Sequence, residues 1–183
     1  KSIAALAGLI EDGEEASIVE REWPAPPRGY RLAASALCVQ MIAERDAGAA
    51  GRDFPFEPLG DEDAGEIYAL AMLTRPGPFR TRTHTLGRFI GLRENGRLIA
   101  MAGERLHLDG YREISAVCTH PDRRGRGIGA ALIRAASARI RADGETPFLH
   151  SYASNQAAIG LYRSLGFSVR TEITQFVWAR AAP

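Results

Sequence analysis

Arg124-Gly125-Arg126-Gly127-Ile128-Gly129 places three glycines within five residues, directly before an alanine-rich helical pattern from Ala130 to Arg141. Glycines leave backbone N–H groups uncovered, and a helix starting behind them turns its positive end the same way. Residues of this type at this spacing bind a phosphate or pyrophosphate. A run of strand character ending at Thr119 delivers the chain to the loop.

Several glycine loops bind phosphates, and the residues discriminate between them. A P-loop needs Gly-Lys-Ser/Thr where its helix begins; Lys1 is the only lysine in the chain, so that reading fails. Gly125-Arg126-Gly127-Ile128-Gly129-Ala130 satisfies the dinucleotide fingerprint. That fingerprint also asks for an acidic residue about 20 positions on, at the end of the next strand. The strand found there, Phe148-Leu149-His150-Ser151-Tyr152-Ala153, carries no carboxylate. What survives is R-x-x-G-x-G on Arg124, Gly127 and Gly129, following Val117-Cys118-Thr119-His120-Pro121.

With that pattern the chain resembles the GNAT superfamily of acetyl-CoA-dependent N-acetyltransferases. A second signature agrees: Asn155-x-x-Ala158-x-x-x-Tyr162-x-x-x-Gly166-Phe167. The resemblance runs over residues 54–178 in element order and omits the first fifty. It implies that the N–H groups of Gly125, Arg126, Gly127, Ile128, Gly129 and Ala130, beside Arg124, wrap the pyrophosphate of coenzyme A. It also implies that the pantetheine arm pairs with the strand edge at Val117, Cys118 and Thr119, and that Asn155 bonds the arm further along. Arg123, Arg126 or Arg134 could meet the 3′-phosphate, or simply be solvated surface.

Acyl transfer from a thioester to an amine needs a neutral amine, a donor for the oxyanion and a proton for the leaving thiolate. The resemblance places Tyr162 as the general acid, although Tyr162 also lies on an apolar helical stripe where its ring would pack. Two residues compete as base. Glu113 stands eleven residues before Arg124, a spacing at which some superfamily members carry a glutamate base. Burial in a strand between Ile114 and Ala116 would raise its pKa towards neutrality, and an ion pair with Arg105 is the competing role. His150 stands five residues before Asn155, where other members place a glutamate, and imidazole titrates near neutrality. Glu104 comes third, acting through water or pairing with arginine. Strict alternation puts Glu113, Ser115 and Val117 on one strand face and turns Cys118 away, which favours packing for Cys118 over a covalent acyl-enzyme. The loop Thr74 to His84, with Arg80, Arg82 and His84, is where acceptor selection is expected.

The elements that must position these residues read as βα(α)βββαβαββ, an α/β chain of α+β type. A mixed, mostly antiparallel sheet flanked by helices is expected, with a small N-terminal αβ extension or small lobe over residues 1–50 and the acetyltransferase domain over 51–183. Residues 1–10 read as a helix, Ala16 to Glu22 as a strand, and Trp23 to Gly29 as a rigid turn. Tyr30 to Glu44 reads as two strands broken near Ser35, and Asp46 to Asp53 as a linker. Phe56 to Leu59 is a strand. Asp61 caps a helix running to Leu73, with Ala64, Ile67, Leu70, Ala71 and Met72 as its apolar set. Glu94-Asn95-Gly96 and Asp109-Gly110 are hairpin turns joining three strands. Ile128, Leu132, Ala136 and Ile140 form the stripe of the helix behind the glycines. Pro147 to Ala153 is a strand, Ser154 or Asn155 caps the last helix, and two strands follow through Trp178.

Composition narrows the partners. The chain has 183 residues, 45% hydrophobic and 25% charged, with a net charge of +1. That balance points to no bulk polyanion, whether duplex nucleic acid or membrane. The arginines near the glycines lack interleaved aromatics, which places an RNA-binding reading last. Cys38 and Cys118 make neither a disulfide framework nor a metal cluster, so a reduced, cytoplasmic setting and no metal are expected. No run reaches the roughly 18 apolar residues of a membrane span. The expected enzyme uses acetyl-CoA as donor and a small or amino-acid-like amine, rather than a protein, as acceptor; a homodimer is compatible with it. The rival class is a non-catalytic acyl-CoA sensor, which would keep the glycine loop and Asn155 without needing Glu113 or Tyr162.

Overall fold

The computed structural model describes residues 15–22, 25–45 and 51–180. The helix expected over 1–10 lies outside the described residues, as do Trp23 and Pro24 of the turn and residues 46–50 of the linker.

Eight strands form one sheet: β1 (Glu15–Glu20), β2 (Tyr30–Ala43), β3 (Glu57–Leu59), β4 (Phe89–Glu94), β5 (Arg97–Leu108), β6 (Tyr111–Thr119), β7 (Thr146–Tyr152) and β8 (Phe167–Arg180). Their order across the sheet is β1-β8-β2-β7-β6-β5-β4-β3. Neighbours are antiparallel except β6 and β7, which run parallel. Among the described residues three α-helices accompany it: α1 (Ala64–Thr74), α2 (Ile128–Ala142) and α3 (Gln156–Ser164). This is the mixed, mostly antiparallel α+β architecture that the pattern predicts.

The helix faces follow their apolar spacing. Ile128, Leu132, Ala136 and Ile140 are all buried, so the α2 stripe packs as expected. With α3 it covers one sheet face, where Ile133, Ile140 and Ile159 meet Val39, Met41 and Leu149. Full burial of a side chain such as Met41 or Leu149 stabilises by about 1.5–3 kcal/mol. Ile67, Leu70 and Ala71 of α1 pack on the other face against Phe89, Met101 and Cys118. Asp61 does not cap α1 with its side chain. Asp61–Asp63 form a short 3-10 turn, and the Asp63 carboxylate accepts from the Gly60 N–H at 2.9 Å.

Three sequence expectations change. The two strands expected over 30–44 are one 14-residue strand, and the irregularity survives as a register shift between Leu32 and Ala34. The two strands expected after Gly166 are also one, β8. Residues 15–43 do not stand apart from the following domain. β2 lies between β7 and β8 and hydrogen-bonds to both, while β1 covers the far edge of β8. The physical reason is that β7 and β8 do not pair with each other, so their inner edges need a partner. β2 supplies that partner and brings Val39 and Met41 into the main core. Gly166, at φ +86°, favours glycine, because a Cβ there would be strained and would crowd the Arg45 carbonyl oxygen at 3.0 Å.

Candidate active site

The cleft begins where two parallel strands part. β6 and β7 pair only over Tyr111–Glu113 and Thr146–Phe148. Beyond that point β7 stays paired to β2 along its other edge, and Ile114–Thr119 keep an unpaired edge towards β7. A cavity of 660 Å³ opens there, lined by both strands, by the glycine loop and by α3. An extended amide chain fits such an edge as a further strand.

The loop at one end has the expected form. Gly125 and Gly127 sit at φ +74° and +80°, and Gly127 is the N-cap of α2. A Cβ at either would meet no protein atom within 4 Å, so open space rather than packing lies over the loop. Arg124 donates from Nε to the Thr119 carbonyl at 3.3 Å and ties the loop to the end of β6. The helix start supplies free N–H groups and positive potential, which suit a diphosphate. Arg123 is taken up by Glu94, which Arg126 also approaches at 3.8 Å.

β6 is not a regular strand. Ala116 adopts φ +53°, and the register with β5 shifts between the Met101–Cys118 and Gly103–Ser115 pairs. This bulge inverts the alternation that follows it. Val117 packs with Ile114 on the α2 side, whereas Ala116 and Cys118 pack on the α1 side. Glu113, opposite Ile114, therefore shares its side with Cys118, which corrects the expectation that Val117 stands with Glu113 and Cys118 faces away. The surroundings of Cys118 disfavour a thiolate. The residue is buried, and burial pushes its thiol up to about 11.

Glu113 is 1% exposed and fully engaged. Arg105 donates to it twice, Nε to Oε2 at 2.9 Å and Nη2 to Oε1 at 2.6 Å. His150 Nδ1 lies 2.8 Å from Oε1. Burial alone would raise the Glu113 carboxyl, but the His150 and Arg105 hydrogen bonds outweigh it and hold the group below the usual carboxylate range. The expected upward shift is thus reversed, because two donors converge on a group that the sequence shows with one possible partner. The far nitrogen of His150, Nε2, lies 3.0 Å from Nε2 of Gln40, its cross-strand partner on β2.

Tyr162 and Asn155 line the same cleft. Burial pushes the Tyr162 hydroxyl up, with no opposing charge or hydrogen bond, so it stays protonated. Its ring also packs near Phe167, at a centroid distance of 6.2 Å. Asn155 caps α3, its Oδ1 accepting from the Ala158 N–H at 3.2 Å, which leaves the amide NH2 for a ligand. Of the loop after α1, Thr74 to Phe79 line the cleft. Arg80, Arg82 and His84 do not; Arg80 pairs with Glu15 at 3.4 Å and His84 with Asp61 at 3.0 Å. Glu104 is also elsewhere, buried beneath Arg88, Arg112 and Arg139.

Gln40, Arg170 and the Ala116 bulge carry no sequence signal of a site. Gln40 reaches His150 across 110 residues of chain, and the bulge falls in an unbroken β-patterned run. No helix among the described residues is long and apolar enough to cross a membrane, and no metal-holding group of His, Cys, Asp and Glu occurs among them.

Comparison with known proteins agrees with this geometry. Residues 89–179 match the model of the FR47-like protein family. A solved structure from Novosphingobium aromaticivorans, described as a putative acetyltransferase from the GNAT family, is 44% identical with a TM-score of 0.88, covering 98% of this chain and 80% of that one. The Escherichia coli ribosomal-protein-S18-alanine N-acetyltransferase shares the fold at 24% identity and a TM-score of 0.58, over 70% of this chain and 94% of its own. The mycothiol acetyltransferase of Saccharomonospora viridis is 29% identical over 86% of this chain, which spans only 53% of that relative's length. With its paired signatures on a cleft of this form, the chain belongs to the GNAT family of acetyltransferases.

Proposed function

We propose that the chain transfers an acetyl group from acetyl-CoA directly to a small, amino-acid-like amine. One observation carries this reading: the N–H groups at the start of α2, the unpaired β6 edge and the Glu113–His150 pair lie along one continuous cavity. The glycine loop holds the diphosphate, the β6 edge aligns the pantetheine arm, and the thioester arrives beside the acid–base residues. His150 takes the amine proton at Nε2, directly or through water, while Glu113 orients the ring through Nδ1. A backbone N–H near Cys118 or Thr119 stabilises the oxyanion. The new C–N bond forms as the C–S bond breaks, and Tyr162 gives its proton to the departing thiolate.

Charge along the cleft supports the choice of ligands. Among the described residues lining it, Glu113 is the only carboxylate, and Arg105 already neutralises it, while Arg75 and Arg124 add positive charge. That suits the phosphates of coenzyme A and disfavours a polycationic acceptor. The test is thiol release from acetyl-CoA with a panel of amino acids, their amides and polyamines, beside a thermal shift with coenzyme A. Thiol release with at least one amine is expected. Binding of coenzyme A without thiol release from any amine would leave a sensor, and absence of binding would end the reading.

A further inference from the structure

β2 reaches the site through Gln40, whose amide orientation is fixed by its neighbours. Arg170 Nη1 lies 2.7 Å from Gln40 Oε1, and a guanidinium only donates, so the NH2 of Gln40 must face His150. A bulge in β8 makes this contact: the register with β2 jumps from Gln40–Thr171 to Met41–Val169, leaving Arg170 as the extra residue. On the other side of the ring, the Glu113 carboxylate only accepts, so His150 carries its hydrogen on Nδ1. The Nε2 lone pair therefore receives the Gln40 N–H. Arg170, Gln40, His150 and Glu113 form a chain in which every donor points the same way.

That chain bears on the base proposed above. A proton on His150 Nε2 would face the Gln40 N–H, donor against donor. Only a turned amide, offering Oε1, accommodates imidazolium, and turning breaks the bond to Arg170. Among the described residues, the charged and titratable groups linked to the ring are Glu113 on β6, which it bonds, Arg105 on β5, which grips Glu113 and interacts with Cys38 on β2 and Tyr152 on β7, and Arg170 on β8, which bonds Gln40. α1 contributes Ile67, Leu70 and Ala71 to its side of the sheet.

We infer that Gln40 is a positioning residue whose amide, pinned by Arg170, keeps His150 Nε2 unprotonated until it turns and lets the ring accept the proton of an acceptor amine. This rests on the reading of His150 as base. The test is 15N NMR of the His150 ring in the free protein, together with the pH profile of kcat. The parent protein should show the Nδ1–H tautomer. Gln40→Leu should raise the ring's midpoint by about one pH unit, and Gln40→Glu by more, because a carboxylate partners imidazolium. Arg170→Leu, an exposed change that spares the sheet, should raise it less by freeing the amide. The acid limb of kcat should follow the midpoint in each variant. A midpoint unmoved in all three overturns the role of Gln40 without touching the His150 reading. A midpoint that moves while the kcat profile stays fixed overturns His150 as base, and the positioning role with it.

Discussion

His150 Nδ1 lies 2.8 Å from Oε1 of Glu113, and Arg105 grips that carboxylate through two nitrogens. A buried anion held by two donors is an organiser of its neighbours more than a proton acceptor. Its depressed pKa ties its charge to folding.

The sign follows directly. The folded-state pKa of Glu113 is lowered, so its contribution to stability is present above the unfolded value of about 4.3 and is lost as pH falls through the folded value. Glu113→Gln should remove that acid-side dependence. It should also destabilise at pH 7 by about 3–5 kcal/mol, since Arg105 loses its partner in a buried setting. Urea unfolding of both proteins from pH 3 to 8 checks this. Equal stability at pH 7 would show that the pair contributes nothing to the fold.

Tyr162→Phe removes the hydroxyl and keeps the ring packed near Phe167. Loss of a general acid should lower kcat by about 10²-fold or more, with KM for the amine changed little. Steady-state kinetics decide, and an unchanged kcat would remove Tyr162 from the chemistry.

Cys118 should not carry the acetyl group. A buried thiol pushed to about 11 has almost no thiolate at neutral pH. Intact mass after incubation with acetyl-CoA and quenching should match the parent mass. A stable added acetyl group mapped to Cys118 would establish a covalent route.

Gly127→Ala should weaken coenzyme A binding at least tenfold. The residue sits at φ +80° as the N-cap of α2, so a side chain there strains the loop that presents the N–H groups. Calorimetric titration measures the effect, and full affinity in the variant would show that the loop tolerates a different conformation.

Glu104→Leu should lower the melting temperature while leaving kcat in place. Glu104 gathers Arg88, Arg112 and Arg139 at a buried position outside the cleft, so its loss takes the carboxylate partner from Arg139 and leaves Arg88 and Arg112 with Asp143 and Glu145 alone. A melting scan and one activity assay separate the two effects.

The legible parts of the molecule are those written in neighbouring residues. The glycine loop, the α2 stripe from Ile128 to Ile140, the hairpins at Asn95 and Gly110 and the Asn155 cap each follow from local periodicity or turn chemistry. The tertiary parts were not legible. The Ala116 bulge reverses a two-residue alternation without any glycine or proline to announce it, and so misassigns Val117 and Cys118. The pKa of Glu113 turns on the simultaneous arrival of Arg105 and His150, from two other strands. The place of β2 depends on β7 and β8 parting, which neither strand's own sequence states.

The seating of β2 sets a timetable for synthesis. Its pairing partners come much later in the chain, Phe148 on β7 for Ile42 and Arg180 on β8 for Tyr30. Until then the strand has emerged from the ribosome with both flanks bare, carrying Val39, Met41 and the future contact to His150. Closure of the sheet, and with it the shaping of the cleft, must wait until β7 and β8 have been made, so assembly is governed by long-range loop closure.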